Sequence, residues 1–205
     1  MADGDIEIKK GRKFDQVLLG ARQVFMAHGY DGASVDEIAR AAGVSKATLY
    51  SYFPDKRLLF AEVAKHESER QAQLSLAEID TNGPPEEVLY RAGKSLMTFL
   101  TSRFGQQVVG LCSAEAQRFP ELGCMFYDSG PGLVRQHFSH YLACAAQAGR
   151  LRIDDPLLAA DQFAELCKAR IFTRITCGVQ TEFDDDELEM ILTAAVDLFM
   201  ARYGP

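Results

Sequence analysis

The stretch "SVDEIARAAGVSKATLYSYF", Ser34 to Phe53, decides the fold. Ser34 is a good N-cap, and Glu37 stands at the capping-box spacing behind it. Val35, Ile38, Ala39 and Ala42 recur at helical intervals, and Gly43 is a C-terminal stop. Ser45 then caps a shorter helix, which Pro54 and Asp55 break. That helix is only about ten residues long, marginal in water by itself. It has just two strong apolar anchors, Leu49 and Phe53. A helix, a short turn with glycine and a second helix form the layout of a DNA-binding helix-turn-helix.

Turning the short helix at about 100° per residue explains its odd composition. Leu49 and Phe53 point to a core. Ala47, Thr48 and Ser51 point away from it, and Tyr50 and Tyr52 lie on the flanks. Small outward side chains let the backbone approach base edges: Ala47 suits a thymine methyl, and Thr48 and Ser51 suit hydrogen bonds to bases or phosphate. The tyrosines suit the groove rims, ring to sugar and hydroxyl to phosphate. Ser45 caps this helix and Lys46 lies in its first turn, near a base or phosphate. Lys56, opening the next helix, is expected to clamp a phosphate together with free backbone N–H groups, and Ser34 to do the same from the preceding helix. By pattern alone, an ordinary helical hairpin with exposed polar residues also fits.

Outward from this motif, apolar residues recur at three and four throughout, and no alternation is long enough for a sheet. A first helix runs from about Phe14 to His28, with Phe14, Val17, Leu18, Ala21, Val24 and Phe25 on one stripe and Gly29 as its stop. A long helix covers about 56–79. "DTNGPPEE", Asp80–Glu87, is a dense turn signal and marks a boundary. Five further helices are expected, at about 85–103, 106–118, 120–148 with a break at Gly130–Gly132, 156–178 and 185–203. The expectation is an all-α chain of about nine helices: a flexible basic arm at 1–11, a three-helix DNA-binding head at 12–60 and a larger helical body at 61–205.

Charge divides the same way. The chain has 205 residues and a net charge of −7. Residues 1–60 hold nine Lys/Arg and eight Asp/Glu, against thirteen and twenty-one in 61–205. An acidic body confines contact with a polyanion to the head. The five cysteines, Cys112, Cys124, Cys144, Cys167 and Cys177, include no CxxC pair and read as reduced thiols of a cytoplasmic protein. There is no apolar signal segment and no apolar run of membrane-spanning length, so no membrane partner is expected.

Residues 12–60 closely resemble the DNA-binding domain of the TetR/AcrR family of transcriptional regulators. The likeness covers the F-x-x-x-GY end of the first helix (Phe25, Gly29, Tyr30), the S-V-D-E-I-A-x-x-A-G-V-S core and T-L-Y-x-Y-F-x-x-K. One departure is Ala47, where glycine is common, which should shift base preference slightly. "EAQRFPEL" (Glu115–Leu122), "AGRLRIDDPLLAADQF" (Ala148–Phe163) and the final helix resemble the C-terminal domain of the AefR-like branch. The resemblance implies an all-helical fold, a homodimer built on the last two helices and a small-molecule pocket in the body. It also implies a repressor released from a palindromic operator on double-stranded DNA when that effector binds.

A lone recognition helix contacts too few base pairs to be specific, which independently argues for two copies on a two-fold axis. Leu158, Phe163 and Leu166 on one helix and Leu188, Leu192, Ala195 and Phe199 on the last are the expected interface residues. They carry more apolar surface than one buried stripe needs, although wrapping the body's own core explains them too. Phe99, Arg103, Phe104, Arg118, Phe126, Tyr127, His137, Tyr141, Phe172 and Arg174 are the expected pocket residues, with core packing as the competing account for each. The long helix 56–79 joins head to body and is the natural lever.

Other classes fare worse. No nucleophile stands with a base, no glycine-rich phosphate loop is present, and the His137–His140 pair lacks a further ligand. No enzyme activity, metal or cofactor is expected. Two alternatives stay open: the same fold with a cysteine redox trigger, and a helical adaptor that does not bind DNA.

Overall fold

A computed structural model describes residues 11–77, 83–115, 117 and 119–205. The expected arm at 1–10 and the expected pocket residue Arg118 lie outside them. The described residues form helices and connecting turns without strands. In chain order the helices are α1 (Arg12–Gly32), α2 (Val35–Ala41), α3 (Lys46–Tyr52), α4 (Lys56–Ala77), α5 (Pro85–Thr101) and α6 (Arg103–Glu115). They continue with α7 (Pro120–Ser129), α8 (Pro131–Gln147), α9 (Pro156–Lys168), α10 (Phe172–Thr176) and α11 (Asp185–Tyr203). The chain forms two compact units that part between His66 and Glu67, within α4.

In the first unit, Phe14 stacks on Phe53 at 5.3 Å between ring centres, and Phe60 meets Phe25 edge-on at 5.0 Å. Val17, Ala21, Ile38 and Leu49 fill the space between. Gly20 is essential to this packing: a Cβ there would lie 2.5 Å from the Ala42 backbone nitrogen, so only glycine lets α1 approach the end of α2 so closely. α2 closes with a Schellman motif. Gly43, at φ 64°, takes the left-handed position while Val44 N–H donates to Ala39 O at 3.0 Å and Gly43 N–H to Arg40 O at 3.1 Å.

In the second unit, α5, α8, α9 and α11 enclose a core that includes Leu89, Met97, Phe138, Tyr141, Leu142, Phe163, Cys167, Leu192 and Phe199. Phe163 meets Phe138 at 5.6 Å and Phe199 edge-on at 5.4 Å. The helix expected at 156–178 is divided here into α9 and α10. Arg170 stands at φ 67°, a left-handed conformation that ends α9 after Lys168. No Gly or Pro marks this break. Arg174 ties the break to α11: it donates to the Arg170 carbonyl and to Glu187 Oε1 at 2.7 Å. The break expected at Gly130–Gly132 separates α7 from α8, with Pro131 opening α8.

Candidate nucleic-acid interface

α3 is seven residues long, and tertiary contact accounts for its existence. Leu49 and Phe53 are each 1% exposed and pin it to α1 and α2. Its outer side carries Lys46, Ala47, Tyr50 and Ser51 in the open and Thr48 half-buried. Tyr50 is 47% exposed, whereas Tyr52 is half-buried with its ring edge on Phe14 at 6.0 Å. The two tyrosines therefore differ: Tyr50 is available on the surface, and Tyr52 braces α3 against α1.

The small hydroxyls are already satisfied within the helix. Ser45 Oγ accepts from Thr48 N–H at 3.1 Å and lies 2.9 Å from Thr48 Oγ1, while Ser51 Oγ donates to Thr48 O at 2.7 Å. Each hydroxyl oxygen keeps acceptor capacity toward an incoming donor. Lys46 Nζ lies 2.6 Å from Asp36 Oδ1 on α2, and that hydrogen bond and charge raise its pKa.

Two expected phosphate seats are occupied by the protein's own groups. Ser34 Oγ donates to Glu37 Oε2 at 2.8 Å and accepts from Glu37 N–H at 3.2 Å, and Ser34 N–H donates to the same carboxylate at 3.1 Å. This closed capping box holds the Glu37 carboxyl below its ordinary pKa, first through the Ser34 hydrogen bonds. An anion thus already sits at the start of α2, so Ser34 is a cap rather than an open clamp. At α4, Asp55 Oδ1 accepts from Arg57 N–H at 2.7 Å and its carboxylate pairs with the Arg57 guanidinium. Lys56 turns the other way. Its Nζ donates to Tyr30 O at 2.9 Å and Ala33 O at 3.1 Å and stands 4.4 Å from the centre of the Tyr30 ring. The Lys56 ammonium closes the C-terminal end of α1, because those carbonyls have no intrahelical partner. Sequence reasoning missed this role and the Asp36–Lys46 pair. Both join residues well separated along the chain, and no local spacing announces them.

In the second unit, four of the expected interface residues are core residues. Phe163, Leu192, Ala195 and Phe199 are buried within the same chain and have no surface to offer a partner. Leu166 and Leu188 are half-buried, and Leu158 is 50% exposed. Leu157, Met190 and Leu198 are the large apolar side chains that these two helices leave exposed beside it. The burial pattern of α9 and α11 thus inverts part of the expectation: the aromatic stripe faces inward, and the leucines next to it face out.

The described pocket candidates differ in burial. Tyr141 and Phe104 are buried, whereas Arg103, Tyr127 and His137 are exposed. Phe99 stacks toward Phe126 at 6.4 Å. Arg174 serves the α10–α11 connection, and Phe172 packs near Lys168 on the same segment. A shallow groove of about 340 Å³ runs elsewhere, between α5 and α11, lined by Glu86, Glu87, Tyr90, Arg91, Thr193, Val196 and Asp197. Of the cysteines, Cys167 is buried, and desolvation pushes its thiol up to about 12, far from a reactive thiolate. Among the described residues, no three His, Cys, Asp or Glu side chains are placed to share a metal ion, and no helix is long and apolar enough to cross a membrane.

This geometry agrees with what related proteins are. Residues 17–63 match the bacterial regulatory proteins of the tetR family, and residues 87–205 match the AefR-like transcriptional repressor C-terminal domain. The HTH-type transcriptional repressor AcnR of Corynebacterium efficiens is 26% identical over 180 residues, spanning 87% of this chain and 90% of that protein. A putative TetR-family transcriptional regulator from Mesorhizobium loti superposes with a TM-score of 0.84 at 27% identity, covering 95% of this chain and 98% of its own. The flavonoid-responsive regulator FrrA superposes with a TM-score of 0.68 at 31% identity over 96% of this chain and 99% of its own. A helix-turn-helix head followed by a matching C-terminal body leaves one assignment: the chain belongs to the TetR family of DNA-binding transcriptional regulators, in its AefR-like branch.

Proposed function

We propose that this chain is a cytoplasmic, dimeric, sequence-specific repressor that leaves a palindromic operator when a small molecule binds its body. One observation carries the DNA-binding part: α3 turns Leu49 and Phe53 inward and presents Lys46, Ala47, Tyr50 and Ser51 outward. A surface of short side chains flanked by a tyrosine and a lysine matches the demands of the major groove. Ala47, Thr48 and Ser51 meet base edges, and Tyr50 and Lys46 reach the phosphate or a base at the margin. Ser45, Tyr52, Lys56 and Ser34 support this surface by capping or bracing the helices that carry it.

Dimerisation is supported by the exposed Leu157, Leu158, Met190 and Leu198 on the two helices that follow the body's core stripe. Apolar side chains left in water on neighbouring helices are what a second copy covers. The effector reading is supported by the AefR-like match and by the flavonoid response of FrrA. A flat aromatic compound is therefore the first effector class to test. Such a ligand must bind the released state more tightly than the DNA-bound state, because only that difference shifts the population. Repression as the sign of control is supported by the repressors among the relatives.

The test is selection of bound duplexes from a random library with the purified protein, followed by gel shifts. A recovered near-palindrome, bound by two copies and released by an aromatic compound, is the expected result. Failure to enrich any duplex would overturn the reading. Tyr50→Phe should weaken all duplexes similarly, whereas Thr48→Ala should change which sequence is preferred. Equal losses across the panel for both substitutions would refute the assigned roles.

A further inference from the structure

The geometry assigns to Asp36, on α2, the positioning of Lys46 for sequence discrimination: it holds the Lys46 ammonium as a neutralised, oriented donor and withholds it from indiscriminate phosphate contact. This rests on the proposed DNA-binding face. Both side chains are solvent-exposed, at 61% and 53%, yet Nζ and Oδ1 are 2.6 Å apart. They bridge the two helices of the motif, so the pair spans the turn that aims α3.

An unpaired lysine at the edge of a recognition helix favours every duplex equally, because every phosphate attracts it. Pairing with Asp36 offsets part of that attraction, since a phosphate must now displace a carboxylate. One ammonium N–H goes to Asp36, and the others remain free and turned by the pair. Acceptors grouped on a base edge, such as guanine O6 and N7, can meet those donors while the pair stays formed. The same contact is denied to bases that present a donor or a methyl group there. Asp36 therefore lowers binding to random sequence more than binding to the operator.

The experiment compares wild type, Asp36→Asn, Lys46→Met and the double variant on a duplex selected from a random library and on a random-sequence duplex, each across a salt series. Asp36→Asn should tighten random-duplex binding about three- to tenfold and steepen its salt slope by about 0.9 for each phosphate contact freed. It should tighten the selected duplex less, so the ratio between the two falls. Lys46→Met should leave random-duplex binding within about twofold while weakening the selected duplex about tenfold. In the Lys46→Met background, Asp36→Asn should have no further effect on the slope.

An Asp36→Asn effect that persists in that background would show a general charge effect and overturn the assignment while leaving the DNA-binding reading intact. Equal tightening of both duplexes, or no change in either, would do the same. A wild type that binds no duplex under any salt condition would overturn both. Thermal melting of all four proteins keeps folding out of the comparison.

Discussion

Replacing Lys56 by methionine separates a structural lysine from a DNA-contacting one. The substitution removes the ammonium and keeps most of the aliphatic stem. It deletes hydrogen bonds of 2.9 and 3.1 Å to the carbonyls of Tyr30 and Ala33 and a cation 4.4 Å from the Tyr30 ring. A hydrogen bond to a charged group contributes about 1.5–3 kcal/mol, and a cation–π contact at a partly exposed site about 0.5–1 kcal/mol. Water recovers part of this, because Lys56 and Tyr30 are half-buried, although Ala33 is buried. The net loss is about 2 kcal/mol, equivalent to about 30-fold more frequent opening of the head. Hydrogen exchange read by mass spectrometry on peptides from α1 to α4 measures this directly, and the second unit serves as an internal control. Duplex binding measured across a salt series supplies the other half of the assay. Lysine acting from inside the head leaves the salt slope unchanged. The reasoning is refuted if exchange in the head matches wild type while the slope flattens by about 0.9 per subunit, the signature of a lost phosphate contact.

Four further outcomes are expected. Arg170→Gly should stabilise the second unit by about 0.5–1 kcal/mol, because glycine occupies the left-handed conformation without strain, the Arg170–Glu187 contact it loses is long at 3.9 Å, and Glu187 keeps its closer bond to Arg174; a lowered melting temperature would contradict this. Gly93→Ala should destabilise the same unit by about 1–3 kcal/mol in chemical denaturation, since its Cβ would lie 2.4 Å from Leu192 Cδ1 and 3.0 Å from Cys167 Sγ, and the same substitution should cost less in a Leu192→Ala background, where the first of these clashes is gone. The capping box of α2 contributes stability that is fully present above the ordinary Glu37 value of 4.5 and is lost as pH falls through the lower folded value. Relative to a Glu37→Gln variant, protection of the α2 amides should therefore fall on acidification, and an identical pH dependence in both proteins would disprove the link. A thiol reagent should label Cys124 and Cys177 in the native protein and reach Cys167 only on unfolding; rapid native labelling of Cys167 would revive a redox trigger.

What could be read directly from the chain has a common physical basis: it is local. Caps, stops and apolar periodicity act within a turn or two, so Ser34 with Glu37, Gly43, Ser45 and the Gly130–Gly132 break set helix ends that the structure keeps. The inward placement of Leu49 and Phe53 follows from rotation along one short helix, and with it the outward face of α3. Tertiary structure decided what lies between elements. Arg170 breaks a helix without Gly or Pro where Arg174, bonded to the Arg170 carbonyl, reaches Glu187 on α11. Phe163, Leu192 and Phe199 go to the core, and Leu158 to solvent, because α5 and α8 close over one side of an apolar surface broader than a single stripe. Lys56 faces α1 and Lys46 meets Asp36 because folding brings a cation to a carbonyl or carboxylate distant in sequence. A charged side chain takes whichever partner the packed chain brings within reach, and periodicity carries no record of that choice.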